Sequence, residues 1–172
     1  MTKPDNGRVL IAVDGSRNSM IAAGVGARMA QLLGMRVGLV HVLDIPVVSF
    51  WVGVETRLKD DIRAQAKATL TDVSEMIQRT CHVTPEVLIF DGETADEIEK
   101  FVRANPDIVM VVTGCNGVGS EKRTELMHDG ASHHLGARLA SRLPVAVVLV
   151  PPDAPESMIC KALSEFRRKS ET

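Results

Sequence analysis

Short apolar runs alternate along this chain with longer segments in which apolar residues recur every three or four positions, the pattern of a parallel sheet covered by helices. "RVLIAV", residues 8 to 13, is nearly continuous in apolar character and predicts a first strand buried on both faces. The turn "DGSRNS" follows, then a helix over 19–33 that Gly34 stops in a left-handed conformation. "RVGLVHVL", 36–43, predicts the second strand. The irregular apolar stretch "DIPVVSFWVG", which holds Trp51, separates it from a long amphipathic helix over 54–79 with Leu58, Ile62, Ala66, Leu70, Val73 and Ile77 on one face. "TPEVLIF", 84–90, predicts strand three. Thr94 and Glu97 have the T-x-x-E spacing of a capping box for a helix that runs to about Asn105, where Pro106 helps to end it. "DIVMVVT", 107–113, predicts strand four. A loop over 114–130, a helix from about Ser132 to Arg142 and strand five in "PVAVVLVPP" complete the series. Asp153 and Glu156 then cap a short tail helix through about Lys169.

The order β-α-β-α-β-α-β-α-β plus a tail helix predicts an α/β fold, a doubly wound five-stranded parallel sheet with helices on both faces. Such sheets bind ligands beyond the carboxyl ends of their strands, where the strand order reverses. The loops after strands one and four, "DGSRNS" and "GCNGVGSEKR", are therefore the candidate site.

Composition narrows the picture. A chain of 172 residues, 45% hydrophobic and 24% charged, supports one core, assigned to residues 1–151, with a helical tail over 152–172. A formal net charge of -2 supplies no field for a polyphosphate backbone, and the one dense basic run, Arg167, Arg168 and Lys169, lies at the extreme C-terminus, so nucleic acid is not an expected partner. Cys81, Cys115 and Cys160 are odd in number, widely spaced and contain no C-x-x-C pair, which argues against a disulfide framework and a structural zinc site. No apolar leader follows Met1, and no uninterrupted apolar run approaches the roughly 18 to 20 residues of a membrane span. A reducing, cytoplasmic setting is the expectation.

The loop after strand four approaches two phosphate-binding patterns and satisfies neither. Gly114 and Gly119 have P-loop spacing, but Ser120 stands where the lysine is required. A dinucleotide fingerprint needs a third glycine at Lys122 and should follow strand one. What remains is G-x-x-G, Gly114 and Gly117, a turn that either exposes backbone N–H groups to an anion or only reverses the chain. Asp14, directly after strand one, stands at the crevice mouth. It is positioned to accept hydrogen bonds from a ribose or a base amine, or to be held by the amides of the Gly15 to Asn18 turn.

"RVLIAVDGSRNSMIAAGVGARMAQLLGMRVGLVHVLD", "DIVMVVTGCNG" and "LPVAVVLV" together resemble the universal stress protein family over about residues 8 to 151. The resemblance implies a five-stranded sheet of order 3-2-1-4-5, a dimer, a stress-related regulatory role and, in one branch, bound ATP or another adenine nucleotide. It assigns Asp14 to base and ribose, Val42 to the base, and Gly114 and Gly117 to the ribose-phosphate turn. That branch carries G-x2-G-x9-G-[ST]. Here twelve residues separate Gly117 from Gly130, and Ala131 precedes Ser132, so Gly130 and Ser132 match only loosely and the motif is degenerate. Glu121, Glu125 and Asp129 against Lys122 and Arg123 further oppose a triphosphate chain. One like-charge approach at about 4 Å costs on the order of 4 kcal/mol at an effective dielectric of about 20.

Other candidates are weaker. His128, His133 and His134 cluster with Asp129, but adjacent helical residues diverge by about 100°, so His133 and His134 do not share an ion. His41 reads as a satisfied strand residue and Cys115 as an inert loop thiol. No nucleophile elbow or H-E-x-x-H motif supports catalysis. The alternatives kept open are a non-nucleotide-binding dimeric scaffold that also uses the Trp51 loop, and a nucleotide-dependent transferase, whose S-G-G-x-D-S or H-x-G-H turn "DGSRNS" lacks. The resemblance puts strand five at the sheet edge, and there the unbroken apolar run Val145 to Val150 predicts a homodimer through it. Met158, Ile159, Leu163 and Phe166 give the tail helix an apolar face, either a lid on its own chain or a clamp on the partner.

Overall fold

β1 (Arg8–Ala12), α1 (Arg17–Leu33), β2 (Arg36–Leu43), α2 (Val52–Cys81), β3 (Glu86–Asp91), α3 (Thr94–Ala104), β4 (Ile108–Gly114), α4 (Leu135–Arg142) and β5 (Ala146–Val150) follow one another along the chain. The strands form one parallel sheet ordered β3-β2-β1-β4-β5. This computed structural model describes residues 7–43, 52–115 and 135–154, with 52–56 described in backbone only. The expected strand order, with β1 and β4 side by side, is the observed one.

Alternation along β1 divides the core. Val9, Ile11 and Val13 join Val37, Leu39 and Val112 against the apolar faces of α1 and α2, where Leu70, Val73 and Ile77 are buried. Leu10, Ala12, Val40 and Val111 face the other way, toward Ala95, Ile98 and Val102 of α3 and Leu139 of α4. Each fully buried Leu or Ile contributes about 1.5–3 kcal/mol by leaving water. β1, buried at every position, is sandwiched between the two layers.

The helix ends follow their local sequence signals at some positions and depart from them at others. Ser16 caps α1, its Oγ accepting the Ser19 N–H at 3.1 Å, so the helix starts at Arg17 rather than 19. Gly34 adopts φ 67°, and Met35 N–H closes the end by donating to Ala30 O at 2.8 Å. The capping box assigned to Thr94 and Glu97 is corrected: Glu93 is the N-cap of α3, its Oε2 accepting the Asp96 N–H at 2.9 Å. The longer Glu side chain reaches forward to an amide that a Ser or Thr N-cap would ordinarily satisfy. α2 extends to Cys81, and His82 at φ 54° takes the left-handed position after it.

The cysteine expectation is also corrected. Cys81, 1% exposed in the α1–α2 layer, is disulfide-bonded, whereas Cys115 is a free thiol. Odd count and wide spacing carried no information about which thiols a fold brings together.

At the amino end of the sheet Arg8 is 5% exposed and surrounded by acceptors. It pairs with Glu86, lies 5.4 Å from the Phe101 ring centroid, and donates to Asn105 Oδ1 and Asp107 Oδ1, each at 3.3 Å. Its Nε is 3.2 Å from Asp107 Oδ2, close enough for an ion pair but at an angle that makes no hydrogen bond. Arg36 Nη2 reaches the same Asp107 carboxylate at 2.9 Å.

Candidate functional site

The strand order reverses between β1 and β4, and the turn that leaves β1 there is built by short polar side chains. Gly15 takes φ 81°, a conformation that favours glycine, and turns the chain directly after Asp14. Asp14 is exposed, and its Oδ1 accepts the Ser16 N–H at 2.9 Å. Ser19 Oγ donates to Ser16 O at 2.9 Å and accepts the Asp14 N–H at 3.3 Å. These bonds fix the carboxylate at the carboxyl end of β1, just ahead of the first turn of α1, where unpaired helical N–H groups favour negative charge.

His41 and Val42 mark the neighbouring wall. His41 Nδ1 donates to Val13 O across 2.6 Å, which satisfies one ring nitrogen and fits the expectation of a partnered strand residue. Val13 N–H in turn donates to Val40 O at 2.9 Å, carrying the β1–β2 pairing one residue past β1. Val42 is half-buried, aligned with Phe90 of β3, and packed against the α3–α4 layer. Arg63 of α2 pairs with Asp91 at the carboxyl end of β3, both exposed.

Gly114 ends β4, and its missing side chain has a specific cause. A Cβ there would stand 2.8 Å from Asn18 Cγ and 3.1 Å from both the Asn18 carbonyl carbon and Nδ2. The close approach is to a protein side chain, so Gly114 is required by the packing of α1 on β4 whatever the crevice holds. Cys115 is half-buried, with Sγ 3.6 Å from Asn18 Oδ1. Asn18, 5% exposed, was not legible as a site residue. Its partners at 114, 115 and 150 are remote in sequence, and the only local signal is a polar residue at the start of a helix otherwise rich in small apolar positions.

The structure thus brings Asp14, Gly114 and Cys115 to the carboxyl ends of β1 and β4, with Val42 on adjacent β2. Gly117, Gly130, Ser132, the acidic residues Glu121, Glu125 and Asp129, the histidines 128, 133 and 134, Trp51 and the tail helix lie outside the described residues. Among the described residues no group of three His, Cys, Asp or Glu side chains is arranged to hold a metal ion. No described helix is long and apolar enough to cross a membrane.

Charge anchors α4 to the start of α3. Arg138 Nη1 donates to Glu93 Oε1 at 2.7 Å, and Arg142 reaches Asp96 Oδ1 at 2.7 Å and Glu99 Oε2 at 2.6 Å. Burial pushes the Glu93 carboxyl up, but the Arg138 hydrogen bond and the amides of Asp96 and Ala95 outweigh it and hold the group below its usual range. Hydrogen bonds from Arg103 and, against some desolvation, Arg142 lower Glu99 as well.

The sequence model of the universal stress protein family matches residues 6–151. No curated protein matches by sequence. Among solved structures, the universal stress protein UspA from Lactobacillus plantarum is similar at TM-score 0.71 and 18% identity, covering 86% of this chain and 99% of its own. A universal stress protein in complex with cAMP is similar at TM-score 0.62 and 16% identity, covering 86% and 98%. One from Archaeoglobus fulgidus in complex with dAMP is similar at TM-score 0.58 and 19% identity, covering 84% and 96%. At these identities the structures establish the fold.

Proposed function

Because this chain belongs to the universal stress protein family, we propose that it is a non-catalytic regulatory protein of the stress response whose crevice between β1 and β4 holds an adenine nucleotide weakly. The observation that carries the reading is the exposed Asp14 carboxylate, fixed by Ser16 N–H at the carboxyl end of β1 beside β4. Two relatives of the same fold were solved with cAMP and dAMP, each bearing a single phosphate. In this reading Asp14 accepts from ribose or base, Val42 lies against the base, and the backbone at Gly114 and Gly117 follows the ribose-phosphate, with Gly130 and Ser132 beyond it. The acidic residues between Gly117 and Ser132 favour one phosphate over three.

The same proposal places a second copy along β5, whose Ala146–Val150 run carries no charge, while edge strand β3 carries Glu86 and Asp91 at its ends. Residues 152–172 form a tail to this domain, and the setting is cytoplasmic. Disulfides are rare in such a reducing setting, and the one at Cys81, only 1% exposed, would persist there by being shielded from reductant.

One observation favours a second reading, a dimeric scaffold without nucleotide: Asn18 already fills the space beside Gly114. Mass spectrometry of small molecules released on denaturation, followed by calorimetric titration with AMP and Mg-ATP, separates the two. Binding that Asp14→Ala weakens at least tenfold supports the nucleotide reading. Absence of binding, or binding that Asp14→Ala leaves unchanged, supports the scaffold or a site elsewhere.

A further inference from the structure

Both ends of the buried Asn18 amide are engaged at the point where three elements meet. Nδ2 donates to Val150 O at 2.9 Å, and Oδ1 lies 3.6 Å from the Cys115 thiol. The Cys115 N–H donates to the same Val150 carbonyl at 3.0 Å. One carbonyl at the end of edge strand β5 therefore gathers the exit of β4 and the first turn of α1. Gly114 closes the contact from the other side, because a methyl group there would be 2.8 Å from Asn18 Cγ. A methyl group at 114 would therefore have to displace Asn18, and displacement away from β4 strains its bond to β5.

We propose that Asn18 is a positioning residue that couples the crevice floor, at the β1–α1 turn and Gly114, to the end of edge strand β5. The turn carrying Asp14 and the capping Ser16 lies within four residues of Asn18 on one continuous segment. Whatever displaces that turn displaces the amide, and the displacement is delivered to Val150. By reciprocity, constraint of β5 by a neighbouring surface stiffens the turn that presents Asp14. The coupling is a property of the chain and does not depend on which molecule occupies the crevice, so failure of nucleotide binding leaves it intact.

Hydrogen exchange on the full chain tests it as a double-mutant cycle, with no ligand added. Gly114→Ala pushes on Asn18, and Asn18→Ala removes what is pushed. Gly114→Ala alone is expected to speed exchange at Cys115 and along β5 about tenfold, with β2 and β3 unchanged. In the Asn18→Ala background the added Gly114→Ala change is expected to alter β5 exchange less than about twofold. If Gly114→Ala alone fails to fold, recovery of a folded chain by adding Asn18→Ala is the same result, and failure to recover overturns the proposal. An equal effect of Gly114→Ala on β5 in both backgrounds, or an acceleration spread evenly over the whole sheet, also overturns it.

Discussion

Glu93 and Arg138 join two helices through one carboxylate: Oε1 accepts from Arg138 Nη1 of α4 at 2.7 Å, while Oε2 caps the first turn of α3 through Asp96 N–H. A single side chain therefore both starts α3 and holds α4 against it. Its pKa is depressed in the folded chain, as is that of Glu99.

The sign of the pH dependence follows from that depression. Groups with lowered folded pKa add stability above their unfolded value, 4.5, and lose it as pH falls through the folded value. Urea midpoints should be flat from neutral pH to about 5 and fall below about 4.5, with a shallower fall in Glu93→Gln. At neutral pH, Glu93→Ala should cost about 1–2 kcal/mol as cap and exposed pair are lost together.

Arg8 separates charge from packing at the opposite end of the sheet. Arg8→Ala leaves Glu86 and Asp107 without their shared cation and opens space beside Phe101, for an expected loss of about 3 kcal/mol in denaturant unfolding. Arg8→Met keeps the stem and should cost less. Equal losses in the two variants would assign the whole effect to charge.

The two described cysteines should differ in reactivity. Maleimide should modify free but half-buried Cys115 in the native chain without reductant, more slowly than a fully exposed thiol, whereas Cys81 should be modified only after reduction and unfolding. Peptide mapping before and after reduction reads both.

Light scattering at micromolar concentration should report about twice the monomer mass if β5 pairs with its copy. Leu149→Lys, at an exposed position on β5, should shift the population toward monomer. A wild-type monomer would remove the edge from the proposal.

The strands were legible as short apolar runs: "RVLIAV" because β1 is buried on both faces, and "DIVMVVT" although Val109 of β4 is exposed. The order of the strands came from kinship, since no local pattern says which strand neighbours which. Asp14 was visible because it directly follows a strand. The cap of α3 departs from the spacing rule, which assumes a short side chain, because Glu93 does the same work with a longer one. Asn18 was invisible because its meaning lies in Gly114, Cys115 and Val150, which only the closed sheet brings within reach. The disulfide at Cys81 was missed for the same reason: proximity between distant thiols is a product of the fold.

The charged cluster around Arg8 and the polar turn around Asp14 occupy opposite ends of β1, with an entirely apolar strand between them. Robustness and recognition are thereby lodged at separate poles of the same strand. Descendants of this sequence are free to rewrite the recognition pole repeatedly while the anchoring pole keeps them foldable.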